Sequence, residues 1–168
     1  MKKIGLFYSF NTKKTSQIAE KIREVFTGAE IDMVNVETVT SEQFLSYDNI
    51  ICGVPTWFDG ELSNYWDEFI PDLEDINLNG KTIALFGLGD QKGYPENFLD
   101  GVGILAEILE TRGARLAGFT SVQGYTFESS RAVRGDKFIC LAIDFENQSF
   151  LSDERISAWT GQLRSEFQ

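Results

Sequence analysis

The 168-residue chain reads as an α/β protein: a doubly wound, five-stranded parallel sheet with helices on both faces. Three observations predict this. Short, near-continuous apolar runs such as Asn49 to Cys52 and Thr82 to Phe86 have the character of strands buried on both faces. Between them lie stretches with apolar residues at helical spacing, and such an alternation implies right-handed crossovers and a covered parallel sheet. The length, with 42% hydrophobic content, suits one globular domain over 1–168 with a full core.

The first strand runs from Lys3 to Tyr8. Ile18, Ile22, Val25 and Phe26 then recur on one helical face, and Gly28 stands where such a helix stops. A second strand is expected near Ile31 to Val36 and a short helix near Glu42 to Leu45. The third strand, Asn49 to Cys52, precedes a helix around Leu62 to Leu73. The fourth, Thr82 to Phe86, precedes a long helix from Leu99 to Arg112 that ends at Gly113. A fifth strand starts near Arg115 to Phe119, and there the pattern breaks. Residues Ser121 to Asp136 separate two apolar runs where the architecture needs one edge strand, and they read as a surface excursion without chemistry of its own in preference to a partner-docking element. The final helix, Asp153 to Glu166, places Ile156, Trp159 and Leu163 on one face.

Two segments carry the chemistry: Gly53-Val54-Pro55-Thr56-Trp57 and Gly87-Leu88-Gly89-Asp90-Gln91-Lys92-Gly93-Tyr94. Each is expected as a loop at the carboxyl end of a strand, the edge where ligands bind in open α/β sheets. Their glycines let backbone approach a flat ligand, and Trp57 and Tyr94 are large rings able to sandwich an aromatic system. Either loop alone is as readily a turn whose ring caps the core.

Composition narrows the class. With 26 acidic and 15 basic residues, the net charge of −11 disfavours nucleic acid and anionic membranes. It suits a basic partner protein, or simply solubility. No histidine is present, which removes an imidazole base and the usual zinc sites. Cys52 and Cys140 sit in apolar runs without a CxxC pattern and read as buried, reduced thiols. The Met-Lys-Lys start leads straight into a strand and no apolar run approaches a membrane span, so a cytoplasmic location without membrane insertion is expected.

The order and spacing of these segments resemble the flavodoxins, small electron carriers that hold FMN without a covalent bond. The resemblance rests on Lys3 to Tyr8 with Thr12 and Thr15, on the two segments above, on Asn97-Phe98, on Lys137-Phe138 with Leu141 to Asp144, and on Ile156 to Trp159. It implies a flavodoxin-like fold of the long-chain type, whose last strand is split by an insertion over about 121–136. It also implies a phosphate loop over Ser9, Phe10, Asn11, Thr12, Lys13, Lys14 and Thr15, with backbone N–H groups at a helix start cradling the phosphate. The chain departs from the family there: Phe10 replaces a hydroxyl residue and Lys13 replaces glycine. The resemblance assigns Trp57 and Tyr94 to the two flavin faces. Pro55, Thr56, Leu88, Gly89, Asp90, Asn97 and Phe98 fall around the ring, Phe58, Asp59 and Gly60 beside its N5, and Asp144 to Asn147, with Glu146 among them, near the ribityl chain.

Asp59, Glu61, Asp67, Glu68, Asp90 and Asp100 would ring the exposed edge with negative charge. Such a cage disfavours further negative charge on a bound ring and so lowers its potential. No residue reads as a proton-shuttling catalyst, and the resemblance implies an electron-transfer protein whose flavin carries the chemistry rather than an enzyme, expected as a monomer because both stacking rings lie in one chain. Photosystem I, ferredoxin-NADP reductase and nitrogenase reductase are partners by resemblance. An FMN-dependent reductase of a small oxidant such as a quinone is the alternative on the same fold. A phosphorylated receiver would need an acidic cluster after the first strand and an aspartate after the third, and Tyr8-Ser9-Phe10 and Val54-Pro55-Thr56 supply neither.

Overall fold

The structure is a computed structural model that describes residues 1–57 and 59–168. Its elements follow in chain order: β1 Ile4–Tyr8, α1 Lys14–Val25, β2 Ile31–Asn35, α2 Ser41–Leu45, β3 Asn49–Trp57, β4 Glu61–Leu62, α3 Asn64–Glu74 and β5 Thr82–Leu88. Then come α4 Asp100–Thr111, β6 Arg115–Ala117, β7 Thr120–Ser121, β8 Val133–Arg134, β9 Lys137–Phe138, β10 Leu141–Ile143, α5 Phe145–Gln148 and α6 Ser152–Glu166.

The central sheet has the order β2-β1-β3-β5, all parallel, with β6 and β10 both on the outer edge of β5. Arg115 to Ala117 pair with Thr82 to Ala84, and Leu141 to Ile143 pair with Phe86 to Leu88. The last strand is therefore split, as the two apolar runs imply. Between its halves β7, β9 and β8 form a small antiparallel sheet.

Successive strand residues face opposite sides, so each buried strand feeds two cores. Phe7, Ile50, Cys52 and Leu85 join Phe44, Trp66, Phe69 and Leu105 beneath α3 and α4. Leu6, Ile51, Ala84 and Phe86 join Ile18, Ile22, Ile156 and Trp159 beneath α1 and α6. The two indoles are oriented by hydrogen bonds: Trp66 Nε1 donates to the Gly53 carbonyl (3.0 Å) and Trp159 Nε1 to that of Gly118 (2.8 Å). Cys52 and Cys140 are buried free thiols whose pKa values burial pushes up, as their apolar runs imply.

Two elements differ from the sequence reading. The third strand does not end at Cys52 but continues to Trp57, because Gly53, Val54 and Pro55 stay in parallel register with Phe86, Gly87 and Leu88. Gly53 is required there: a β-carbon would lie 2.4 Å from the Phe86 ring. Thr56 and Trp57 then pair antiparallel with β4. The insertion, too, is more than a surface excursion. Its Tyr125 and Phe127 pack with Phe98 and Phe138, and Tyr125 donates its hydroxyl to the Ala142 carbonyl (2.6 Å). No helix among the described residues is long and apolar enough to cross a membrane.

Candidate functional site

At the carboxyl edge of β3 and β5 lies a cleft of about 470 Å³. Thr56, Trp57, Asp59 and Gly60 line one side, Gly89, Asp90, Tyr94 and Asn97 the other, with Phe98 and Leu99 also in its lining. The cleft thus brings together most of the residues expected around a ring; Pro55 lies just before it on β3, and Leu88 just before Gly89 on β5. Phe58 was expected beside the flavin N5 and lies outside the described residues.

Trp57 and Tyr94 are 38% and 59% exposed, unusual for rings of this size; Trp57 ends β3 and Tyr94 lies in the loop after β5. Trp57 meets the edge of the Tyr65 ring at 90° with centroids 5.9 Å apart. Burial pushes the Tyr65 phenol up to about 12, so this support is neutral. Thr56 Oγ1 accepts the N–H of Gly101 at the start of α4 (3.0 Å), which leaves its own proton free to donate. A β-carbon on Gly101 would come 2.8 Å from the Pro55 carbonyl, so only glycine lets α4 begin this close. Leu99 caps α4 in the left-handed region, at φ 59°. Asn97 Nδ2 donates to the Asp59 carbonyl (3.2 Å) and ties the two sides together.

Asp90 folds its loop into a turn. Its Oδ1 accepts the N–H groups of Gly93 (2.7 Å) and Lys92 (3.1 Å) and the Asn147 amide (2.7 Å). The Gly93 N–H above all holds its carboxyl below the usual range. Asp144 is fully buried and faces inward: it accepts Gln91 Nε2 (2.7 Å), the Gln91 N–H (3.2 Å) and the Asn147 N–H (3.0 Å). Its carboxylate braces the Tyr94 loop from beneath. Asp100 is likewise buried and accepts the Arg131 N–H (2.7 Å), so it is not part of an exposed acidic rim. Asp59, Glu61, Asp67 and Glu68 are exposed.

The second half of the site is the turn before α1. Thr12 Oγ1 donates to the Ser9 carbonyl (2.8 Å), and Lys13 occupies the helix N-cap at φ −90° without a side-chain cap. Phe10 is half exposed against Tyr8, with centroids 5.0 Å apart. Lys14 pairs with Glu146, the residue after Phe145, whose ring lies 6.0 Å beneath the ammonium. Thr15 is buried in the first turn of the helix. Ser9 Oγ donates to Glu37 Oε2 (2.8 Å), as does Asn11 Nδ2 (2.7 Å). Gln91 and Asn147 lie inside segments that the motifs already mark. Glu37 has no local signal, because its meeting with Ser9 depends on the register of β1 against β2.

Comparison with known proteins accords with this geometry. The family model described as Flavodoxin matches residues 6–159. The chain is 45% identical to the flavodoxin of Nostoc sp. over 166 residues, 99% of this chain and 98% of that one. It is 41% identical to flavodoxin 2 of Escherichia coli over 165 residues, 97% and 95% of the two chains. Among solved structures it is similar to the Fusobacterium nucleatum flavodoxin bound to flavin mononucleotide, with a TM-score of 0.95 and 34% identity over the whole of both chains. With its fold and its length matched in this way, the chain belongs to the flavodoxin family.

Proposed function

We propose that this protein binds FMN non-covalently and carries single electrons at low potential between larger redox proteins. The observation that carries the reading is the cleft between Trp57 and Tyr94, an aromatic-walled slot at the carboxyl edge of the sheet whose volume suits a cofactor site. FMN supplies the one-electron redox chemistry when bound, and the chain binds, orients and tunes it. Trp57 and Tyr94 would hold the ring by its faces, and the free proton of the Thr56 hydroxyl would reach its edge. The backbone N–H groups at the start of α1, with Thr12 and Thr15, would take the phosphate. The Fusobacterium relative is solved bound to this cofactor, which supports the same fit here.

Both walls come from one chain, so the cleft is complete in a monomer. Exposed Asp59, Glu61, Asp67 and Glu68 surround its open side with negative charge, which favours a basic partner and opposes further charge on a reduced ring. By family resemblance such partners include ferredoxin-NADP reductase, photosystem I and nitrogenase reductase. The test is reconstitution. FMN-loaded protein should relay electrons from NADPH and ferredoxin-NADP reductase to cytochrome c, in a salt-suppressed reaction, and should not oxidise NAD(P)H with a quinone unaided. Unaided quinone turnover would favour a flavin-dependent reductase instead.

A further inference from the structure

The turn before α1 is held from behind by the segment that follows β2. Glu37 Oε2 accepts two hydrogen bonds from it, from Ser9 Oγ (2.8 Å) and Asn11 Nδ2 (2.7 Å). Asn35 Oδ1 accepts the N–H of Phe10 (3.3 Å) and the N–H of Glu37 itself (3.2 Å), so one amide joins the two segments. Ser9 is 1% exposed, and its Oγ also accepts the Asn11 N–H (3.2 Å), so its one proton is committed to Glu37. Glu37 sits in a single 3-10 turn, Val36–Thr38, anchored in the core by buried Val36. Ser9 and Asn11 thus spend their side chains on Glu37 rather than on a ligand.

We propose that Glu37 is a positioning residue for the phosphate end of the cofactor: its carboxylate clamps Ser9 and Asn11 from outside the site and fixes the turn whose N–H groups receive the phosphate. The inference rests on the FMN reading above. It matters in this chain because Phe10 brings no hydroxyl to the turn, which shifts the burden of anion binding onto backbone N–H groups that work only when aimed.

Two effects of opposite sign meet at Glu37. A carboxylate near a phosphate repels it, but Glu37 is exposed and that repulsion is screened by water and salt. The two hydrogen bonds to it are short, directional and charge-assisted. Geometry should win. Both bonds also end on one oxygen, so a glutamine can offer a single carbonyl oxygen to both donors without the charge, whereas an alanine loses both.

The experiment is fluorescence titration of the full apo chain with FMN and with riboflavin, which lacks only the phosphate. Glu37→Ala should raise the FMN Kd about tenfold and the riboflavin Kd by less than about twofold, while Glu37→Gln stays within about twofold of the parent for both. Ser9→Ala should also weaken FMN, and should add little on top of Glu37→Ala because the two residues share one interaction. Intact riboflavin binding shows that each variant is folded. An unchanged FMN affinity in Glu37→Ala, or equal losses for both ligands, would overturn the inference. Tighter FMN binding in both Glu37 variants would overturn it too, by showing a repelling charge rather than a clamp. A parent protein that binds FMN no better than riboflavin would instead sink the phosphate-site reading itself, without recourse to any variant.

Discussion

Lys13 occupies the N-cap of α1 in a conformation that does not require glycine, and its side chain is exposed beside the turn that would hold a phosphate. An exposed ammonium facing an anion contributes about 0.2 to 1 kcal/mol. Lys13→Ala is therefore expected to weaken FMN binding by about 1.4-fold to fivefold more than riboflavin binding at low salt, with the gap closing as salt rises. Equal losses for both flavins would show that Lys13 does not serve the phosphate. Lys14 differs in being engaged by Glu146. The residues that line the cleft were legible in the sequence because aromatics and glycines beside apolar strands announce a ligand edge within a few residues of chain. Trp57, Tyr94, Thr56 and Asn97 all line one cleft. Asp144 was legible by position but not by role, since its carboxylate turns inward to Gln91 and Asn147. Glu37 was not legible, because a clamp between residues 28 apart exists only once two strands are in register.

At the scale of elements, α6 is fastened to the split edge strand through Trp159, whose Nε1 donates to the Gly118 carbonyl just after β6. Trp159→Phe keeps an aromatic ring in the core but leaves that buried carbonyl without its donor. Urea denaturation should show a loss of about 1 to 3 kcal/mol; an unchanged midpoint would mean that the bond contributes nothing net. The open side of the cleft makes a second prediction. Asp67 and Glu68 are exposed in the first two turns of α3 and Asp59 lies on the rim. Asp67→Asn with Glu68→Gln should slow electron transfer to a basic partner at low ionic strength and leave the rate unaltered at high salt. Equal rates at low salt would leave solubility as the reason for the acidity. The order of strands and helices was readable from apolar periodicity, yet β3 runs five residues past the expected end. Its last stretch, Gly53 to Trp57, mixes glycine, proline and threonine that propensity assigns to a loop, and pairing with β5 and β4 overrides that preference.

Across the molecule, among the described residues, three carboxyls are held below their usual range: Asp32 chiefly by the Tyr47 hydroxyl, Asp48 chiefly by the Lys2 ammonium, and Asp90 chiefly by the Gly93 N–H. A depressed folded pKa contributes stability that is fully present above the unfolded value, about 3.9, and is lost as pH falls through the lower folded value. Urea midpoints should therefore fall steeply below about pH 4, and Asp90→Asn should flatten that acid limb; a limb of the same steepness would remove Asp90 from the account. Above that range the net charge of −11 adds a self-repulsion that salt should relieve. The same negative surface, drawn around an aromatic cleft, is what should make this chain a carrier rather than a container for its cofactor. The most direct measurement is an anaerobic spectroelectrochemical titration of the FMN-loaded protein beside free FMN. Two resolved one-electron steps, the second at a potential below that of free FMN, are the predicted result. A single two-electron step at the potential of the free cofactor would contradict the account.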